Sequence, residues 1–212
     1  MHDYVANLLK NNEKWVREMR ETDPDYFLKL GSKHEPVVLW IGCSDARVPA
    51  NQITGTNPGD VFVHRKIANM VVHTDMNLLS VLSFAVEVLQ VKHIVVCGHY
   101  ECGGINAAMS NRSFGLIDNW LRHIKDVYRA HLDELESIGN HDARHRLLVE
   151  LNVKEQVYNL CKTSTVQAAW SRGDYPYIHG WVYDVHDGLL KDMDVTFNNN
   201  DSLANLYRFG NE

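Results

Sequence analysis

PVVLWIGC, residues 36–43, is a short and continuous apolar run. A run of this length without polar alternation predicts a β-strand buried on both faces. DVFVHRKIA (60–68) reads as a second strand, and KHIVVCG (92–98), rich in β-branched residues, as a third. HTDMNLLSVLSFAVEVLQ (73–90) between the latter two has the pattern of a helix that Thr74 could cap. Strands alternating with helices predict an α/β fold with a mainly parallel central sheet flanked by helices.

Working outward, long helical segments are expected over about 115–137 and 142–171, the second stopping near Gly173. YPYIHGWVYDVHDGLL (175–190) predicts a late strand, a turn at Asp187–Gly188 and an antiparallel return. Upstream, residues 3–20 place Val5, Leu8, Leu9, Trp15, Val16 and Met19 at helical spacing. DPDYFLKLG (23–31) predicts a second short helix, with Asp23 as N-cap, Pro24 in the first turn and Gly31 as its stop. This pair need not belong to the core and could lie on a neighbouring subunit. No repeat or linker-like stretch interrupts the chain. One domain is expected over 1–212: a helical arm (1–34), an α/β core (35–190) and a C-terminal segment (191–212).

Composition excludes several classes of function. The formal net charge of −6 argues against a nucleic-acid partner, which needs a basic face. No run reaches the roughly 18 apolar residues of a membrane span. The N-terminal stretch lacks a signal-peptide core and an Arg-rich transit pattern. Four cysteines in a chain of 212 residues do not make a disulfide scaffold and suit a reducing compartment. A cytoplasmic protein is the expectation; an organelle stays open if a targeting segment has been removed.

The chemistry gathers at two strand ends, where ligands collect in open parallel sheets. CGHYECGG (97–104) sets His99 and Cys102 three apart, and GCSDAR (42–47) supplies Cys43, Asp45 and Arg47. Thiolate, imidazole and carboxylate together suit zinc, whereas magnesium or calcium would not use two thiolates. Each piece alone has a plainer reading. Cys43 could be a small buried hydrophobe, and Asp45 with Arg47 only a loop ion pair. Cys97 and Cys161 fit best as core residues, and no C-x-x-C redox pair is formed.

CSDARVP, FVHRKIAN, HTD and GHYECGG, in this order and spacing, resemble the β-class carbonic anhydrases. The resemblance implies a zinc enzyme, with one Zn2+ per subunit, interconverting carbon dioxide and bicarbonate. It implies Cys43, His99 and Cys102 as permanent ligands and a homodimer or a homotetramer of paired dimers. Asp45 would either pair with Arg47 and orient the attacking hydroxide, or swing onto the metal as a fourth ligand and close the site. Gly103 and Gly104 would let the backbone approach that hydroxide. LWIGC, FVHRK and HGWVYD also carry Trp40, Arg65 and Tyr183, which in one subset, "type II", form a non-catalytic bicarbonate pocket. Two thiolates and a neutral histidine cancel the charge of Zn2+, so activity is expected to rise toward alkaline pH.

Two residues depart from the family pattern: Ala46 stands where serine is usual, and Lys66, expected to add charge near Arg65, where asparagine is usual. A hydrolase of carbon disulfide or carbonyl sulfide, and a non-catalytic zinc module sensing bicarbonate, remain as alternatives. No proton shuttle can be chosen among His64, His73 and His93.

Overall fold

A computed structural model describes residues 2–173 and 175–209. The chain parts into two compact units, one up to Glu35 and one from Pro36 onward. The first contains α1 (His2–Thr22) and α2 (Tyr26–Ser32). Trp15 packs edge-on to Tyr26 and Phe27, at ring-centroid distances of 6.3 and 5.4 Å. The N-cap falls on Asp25 rather than Asp23. Asp23 instead accepts from the Asp25 N–H at 3.1 Å and from Lys29 Nζ at 2.7 Å, which fixes the turn ahead of the helix.

The second unit runs β1 (Val38–Cys43), α3 (Ala50–Thr54), β2 (Val61–Lys66), α4 (Met76–Ser83), β3 (His93–His99) and α5 (Gly103–Met109). It continues through α6 (Asp118–Ala130), α7 (Leu132–Glu136), α8 (His141–Cys161), α9 (Ser164–Ser171), β4 (Tyr177–Tyr183) and β5 (Leu190–Phe197). The five strands lie in the order β2-β1-β3-β4-β5. The first four are parallel, and β5 returns antiparallel on β4 through the turn at Gly188. The expected α/β architecture is therefore the one observed.

Most of β1 is buried, as its apolar run requires. Leu39, Ile41, Ile94, Val96 and Ile178 face α4 and α9, in a core with Leu78, Leu82, Val166 and Trp170. Each such side chain, fully removed from water, contributes about 1.5–3 kcal/mol. Helix α8 lies directly on β3 and β4 because glycine makes room: a Cβ on Gly98 would stand 2.6 Å from Val153 Cγ2.

The expected helices are cut differently. Asp75, not Thr74, caps α4, its carboxylate accepting from the Asn77 and Leu78 N–H groups at 3.0 and 3.3 Å. The 115–137 segment breaks at His131, and 142–171 breaks at Thr163, whose extended backbone starts α9.

Candidate metal centre

Strands β1 and β3 are neighbours in parallel register, Gly42 opposite Cys97. Their carboxyl ends therefore set Cys43 beside His99, and Cys102 follows as the N-cap of α5. One donor atom from each of Cys43, His99 and Cys102 lies within 4.8 Å of the others, and all three residues are buried. His99 Nδ1 stands 2.8 Å from the Tyr100 carbonyl, which can only accept. The hydrogen is thus on Nδ1, and Nε2 carries the lone pair. That Nε2 is buried with no hydrogen-bond partner among the described residues.

The sulfurs are supported from the backbone. Nearby backbone N–H groups, of Asp45 and Ala68 for Cys43 and of Gly104 and Ile105 for Cys102, favour the ionised sulfurs. Contact with Cys102, against the cost of burial, holds the Cys43 thiol well below its ordinary pKa, whereas contact with Cys43 and burial together push that of Cys102 up. Two sulfurs and an imidazole nitrogen with a free lone pair, gathered within 4.8 Å, are the donor set of a soft, tetrahedral cation. Zinc fits these residues.

Asp45 borders the cluster, its Oδ2 3.8 Å from His99 Nε2. Arg47 grips it with both arms of its fork: Nε donates to Oδ1 at 2.9 Å and the terminal nitrogen to Oδ2 at 2.6 Å. These bonds hold the Asp45 carboxyl well below the usual carboxylate range. The same Arg47 nitrogen donates to the Glu101 carbonyl at 3.1 Å, which ties the two strand ends together.

The remaining expected residues are placed as follows. Arg65 stands opposite Gly42 and donates from Nε to the Cys43 carbonyl at 2.9 Å and from its fork to the Asp45 carbonyl. Trp40 is buried edge-on to Trp181, in a cluster that also takes Tyr183. A Cβ on Gly42 would come within 2.4 Å of the Trp40 indole nitrogen, so the glycine of IGC is required by this ring. Gly103 opens α5 with nothing within 4 Å of a notional Cβ, whereas the Gly104 N–H is directed to the Cys102 sulfur.

Lys66 departs from expectation. Being next to Arg65 on a strand, it points to the opposite face, where it pairs with Asp75 under the Trp120 ring. Of the unranked histidines, His73 is bonded to the Asn159 carbonyl and His93 to His179, while His64 is buried with Nε2 unpartnered.

Sequence reasoning passed over the turn that follows β2. Ala68 and Asn69 have φ of 59° and 46°, a left-handed conformation that costs a non-glycine residue about 1–3 kcal/mol. It also passed over Asn152 and Gln156 on α8, both buried and bonded to that turn. Their i, i+4 spacing on an otherwise apolar helix face is the signal that could have found them.

The chain is similar to known proteins over most of its length. The family model described as carbonic anhydrase matches residues 38–190. A carbonic anhydrase of Emericella nidulans is 47% identical, over 92% of this chain and 85% of its own. One of Saccharomyces cerevisiae is 32% identical, over 88% of this chain and 87% of its own. Among solved structures, a tetrameric β-carbonic anhydrase of Sordaria macrospora superposes with a TM-score of 0.88 at 38% identity, covering 92% of this chain and 99% of that one. The chain belongs to the carbonic anhydrase family, and within it to the β class. It is an enzyme, a carbonic anhydrase.

Proposed function

We propose that this chain catalyses the reversible hydration of carbon dioxide to bicarbonate and a proton, with one zinc per subunit on Cys43, His99 and Cys102. The observation that carries the reading is the buried trio of donors within 4.8 Å, with the His99 Nε2 lone pair unpartnered. Zinc, when bound there, acts as a Lewis acid that makes hydroxide available near neutral pH. The protein supplies orientation. Asp45, kept anionic by Arg47, accepts a hydrogen bond at Oδ2 from the nucleophile and aims its lone pair at carbon dioxide. The space over Gly103 admits the substrate beside the nucleophile.

The same geometry supports a gated site. Freed from Arg47, Asp45 would be free to serve as a fourth ligand; its Oδ2 is 3.8 Å from His99 Nε2. Bicarbonate held by Trp40, Arg65 and Tyr183 would favour that closed state, making this a member of the type II subset. Arg65 gives the reading its physical basis, because one guanidinium holds the carbonyls of both Cys43 and Asp45. An anion competing for it would loosen the Asp45 loop. A homodimer or homotetramer in the cytoplasm completes the proposal; the tetrameric Sordaria relative supports the assembly, and the four free cysteines support a reducing compartment.

The deciding experiment is stopped-flow hydration of carbon dioxide by zinc-loaded wild type and Trp40→Phe, at pH 7 and pH 9, with and without bicarbonate. Activity is expected to rise at the higher pH, and sigmoidal inhibition by bicarbonate to vanish in the variant. Inactivity at both pH values overturns the enzymatic reading; inhibition that survives Trp40→Phe overturns the pocket.

A further inference from the structure

The segment after β2 makes only one kinked 3-10 turn, Ile67–Asn69, and most of its hydrogen-bonded backbone groups are held by side chains from helices. Trp120 Nε1 donates to the Ile67 carbonyl at 3.0 Å, and Asn152 Nδ2 donates to the Ala68 carbonyl at 3.2 Å. Gln156 Oε1 accepts the Val71 N–H at 2.7 Å, and Asn159 Nδ2 donates to the Val71 carbonyl at 3.3 Å. The amides also join one another, Gln156 Nε2 donating to Asn152 Oδ1 at 3.0 Å. Asn152, Gln156 and Asn159 stand at i, i+4 and i+7 on α8, so one helix face presents them as a ladder.

What the ladder grips is unusual. Ala68 holds φ 59°, ψ 37°, a conformation that L residues other than glycine adopt only under outside constraint. It is fully buried, in the same cluster as Cys43 and Cys102. Its Cβ also lies against α5: a Cβ on Gly104 would stand 3.4 Å from that of Ala68 and 2.7 Å from Ile67 Cγ2. The turn therefore touches both cysteine-bearing elements. Buried amides that only filled a helix–sheet interface would be replaceable by apolar side chains. These three instead satisfy the backbone of a single strained turn.

We propose that Asn152 and Gln156 are positioning residues of the metal centre, holding the Ala68 turn in the left-handed conformation that packs it behind Cys43 and against α5. The inference rests on the reading of Cys43, His99 and Cys102 as zinc ligands. Groups that orient metal ligands typically change metal affinity by about 10–100-fold when removed. Acting through one intervening residue, Asn152 should fall at the lower end.

The test uses full-length protein, zinc-loaded for release into a chelator and cobalt-substituted for absorption spectroscopy. Asn152→Ala is expected to release zinc about tenfold faster. Its thiolate-to-cobalt charge-transfer band should shift, because the turn packed behind Cys43 no longer fixes the position of that sulfur. Gln156→Leu should behave alike. Adding Ala68→Gly to Asn152→Ala should return both readouts toward wild type, since glycine takes a positive φ without a clamp. Loss of helix packing alone could not be rescued in this way.

Wild-type release and an unshifted band in folded Asn152→Ala would overturn the proposal, as would a double variant no better than the single one. Should Asn152→Ala fail to fold, Asn159→Ala, which frees the Val71 carbonyl along with its contacts to Gln156 and Lys162, carries the same prediction at smaller size. A wild-type protein without the charge-transfer band would instead overturn the ligand assignment. The band in wild type with indifferent variants would overturn only the role of the ladder.

Discussion

Two segments flank the metal centre and are held in opposite ways. The Asp45 loop after β1 is gripped by a charged fork whose arginine side chain is 52% exposed, against 19% for its partner. The turn after β2 is gripped by neutral amides, of which Asn152 is 1% and Gln156 0% exposed. Ion pairs open to water are typically worth about 0–1 kcal/mol, although the bidentate geometry here adds to that. A buried polar group stripped of its partner costs about 1–3 kcal/mol. The first clamp can open within the range of a binding event and the second cannot. A site that is to change state needs one ligand-like group on a weak hold and its permanent ligands on strong ones.

The largest effect would come from removing what both clamps serve. Cys43→Ala is expected to lose stoichiometric zinc, measured by metal analysis after dialysis, and to reduce hydration to background. Retention of zinc would break the comparison at its base. Next is Arg47→Ala, which frees Asp45 and leaves the sulfurs in place. Zinc content should be unchanged while activity at pH 7 falls on the order of 10–100-fold. Zinc loss in Arg47→Ala would make the two clamps equivalent and erase the distinction.

The smallest effect concerns a contact of intermediate burial beside the site. Glu150 accepts from Tyr100 Oη at 2.5 Å and from Lys191 Nζ at 2.7 Å. Burial works against its charge, but Lys191 and Tyr100 outweigh that and lower its pKa from the ordinary 4.5. With the folded value below the unfolded one, its stabilisation is complete above the ordinary glutamate range and is lost as pH falls through the folded value. Urea unfolding between pH 3 and pH 7 should show wild type more stable than Glu150→Gln near neutrality, with the gap closing in acid. A gap independent of pH would mean that the carboxylate charge is not what holds Tyr100.

The two clamps were unequally legible. Asp45 and Arg47 are two residues apart, so their pairing needs only a loop. Asn152 reaches Ala68 across 84 positions and Gln156 reaches Val71 across 85. Nothing local marks them except amides at helical spacing where the packing calls for apolar side chains. The direction of Lys66 was misjudged for a related reason: adjacency in a strand separates side chains, and Arg65 and Lys66 serve different faces.

By itself the sequence determined the layered α/β fold and the donor chemistry of the site. Apolar runs of strand length must be buried whatever surrounds them, and thiolates with imidazole select a soft cation by their own electronic character. Only the tertiary structure decided that Cys43 and His99 end adjacent strands with Cys102 capping the next helix. Only it showed that Asp45 is gripped by Arg47 while Gly104 turns its N–H to sulfur, and that α8 braces the left-handed turn behind Cys43. Strand adjacency depends on hydrogen bonds between backbone groups, which every residue carries alike, and the clamps on side chains that meet distant partners; both acquire direction only once the chain has packed.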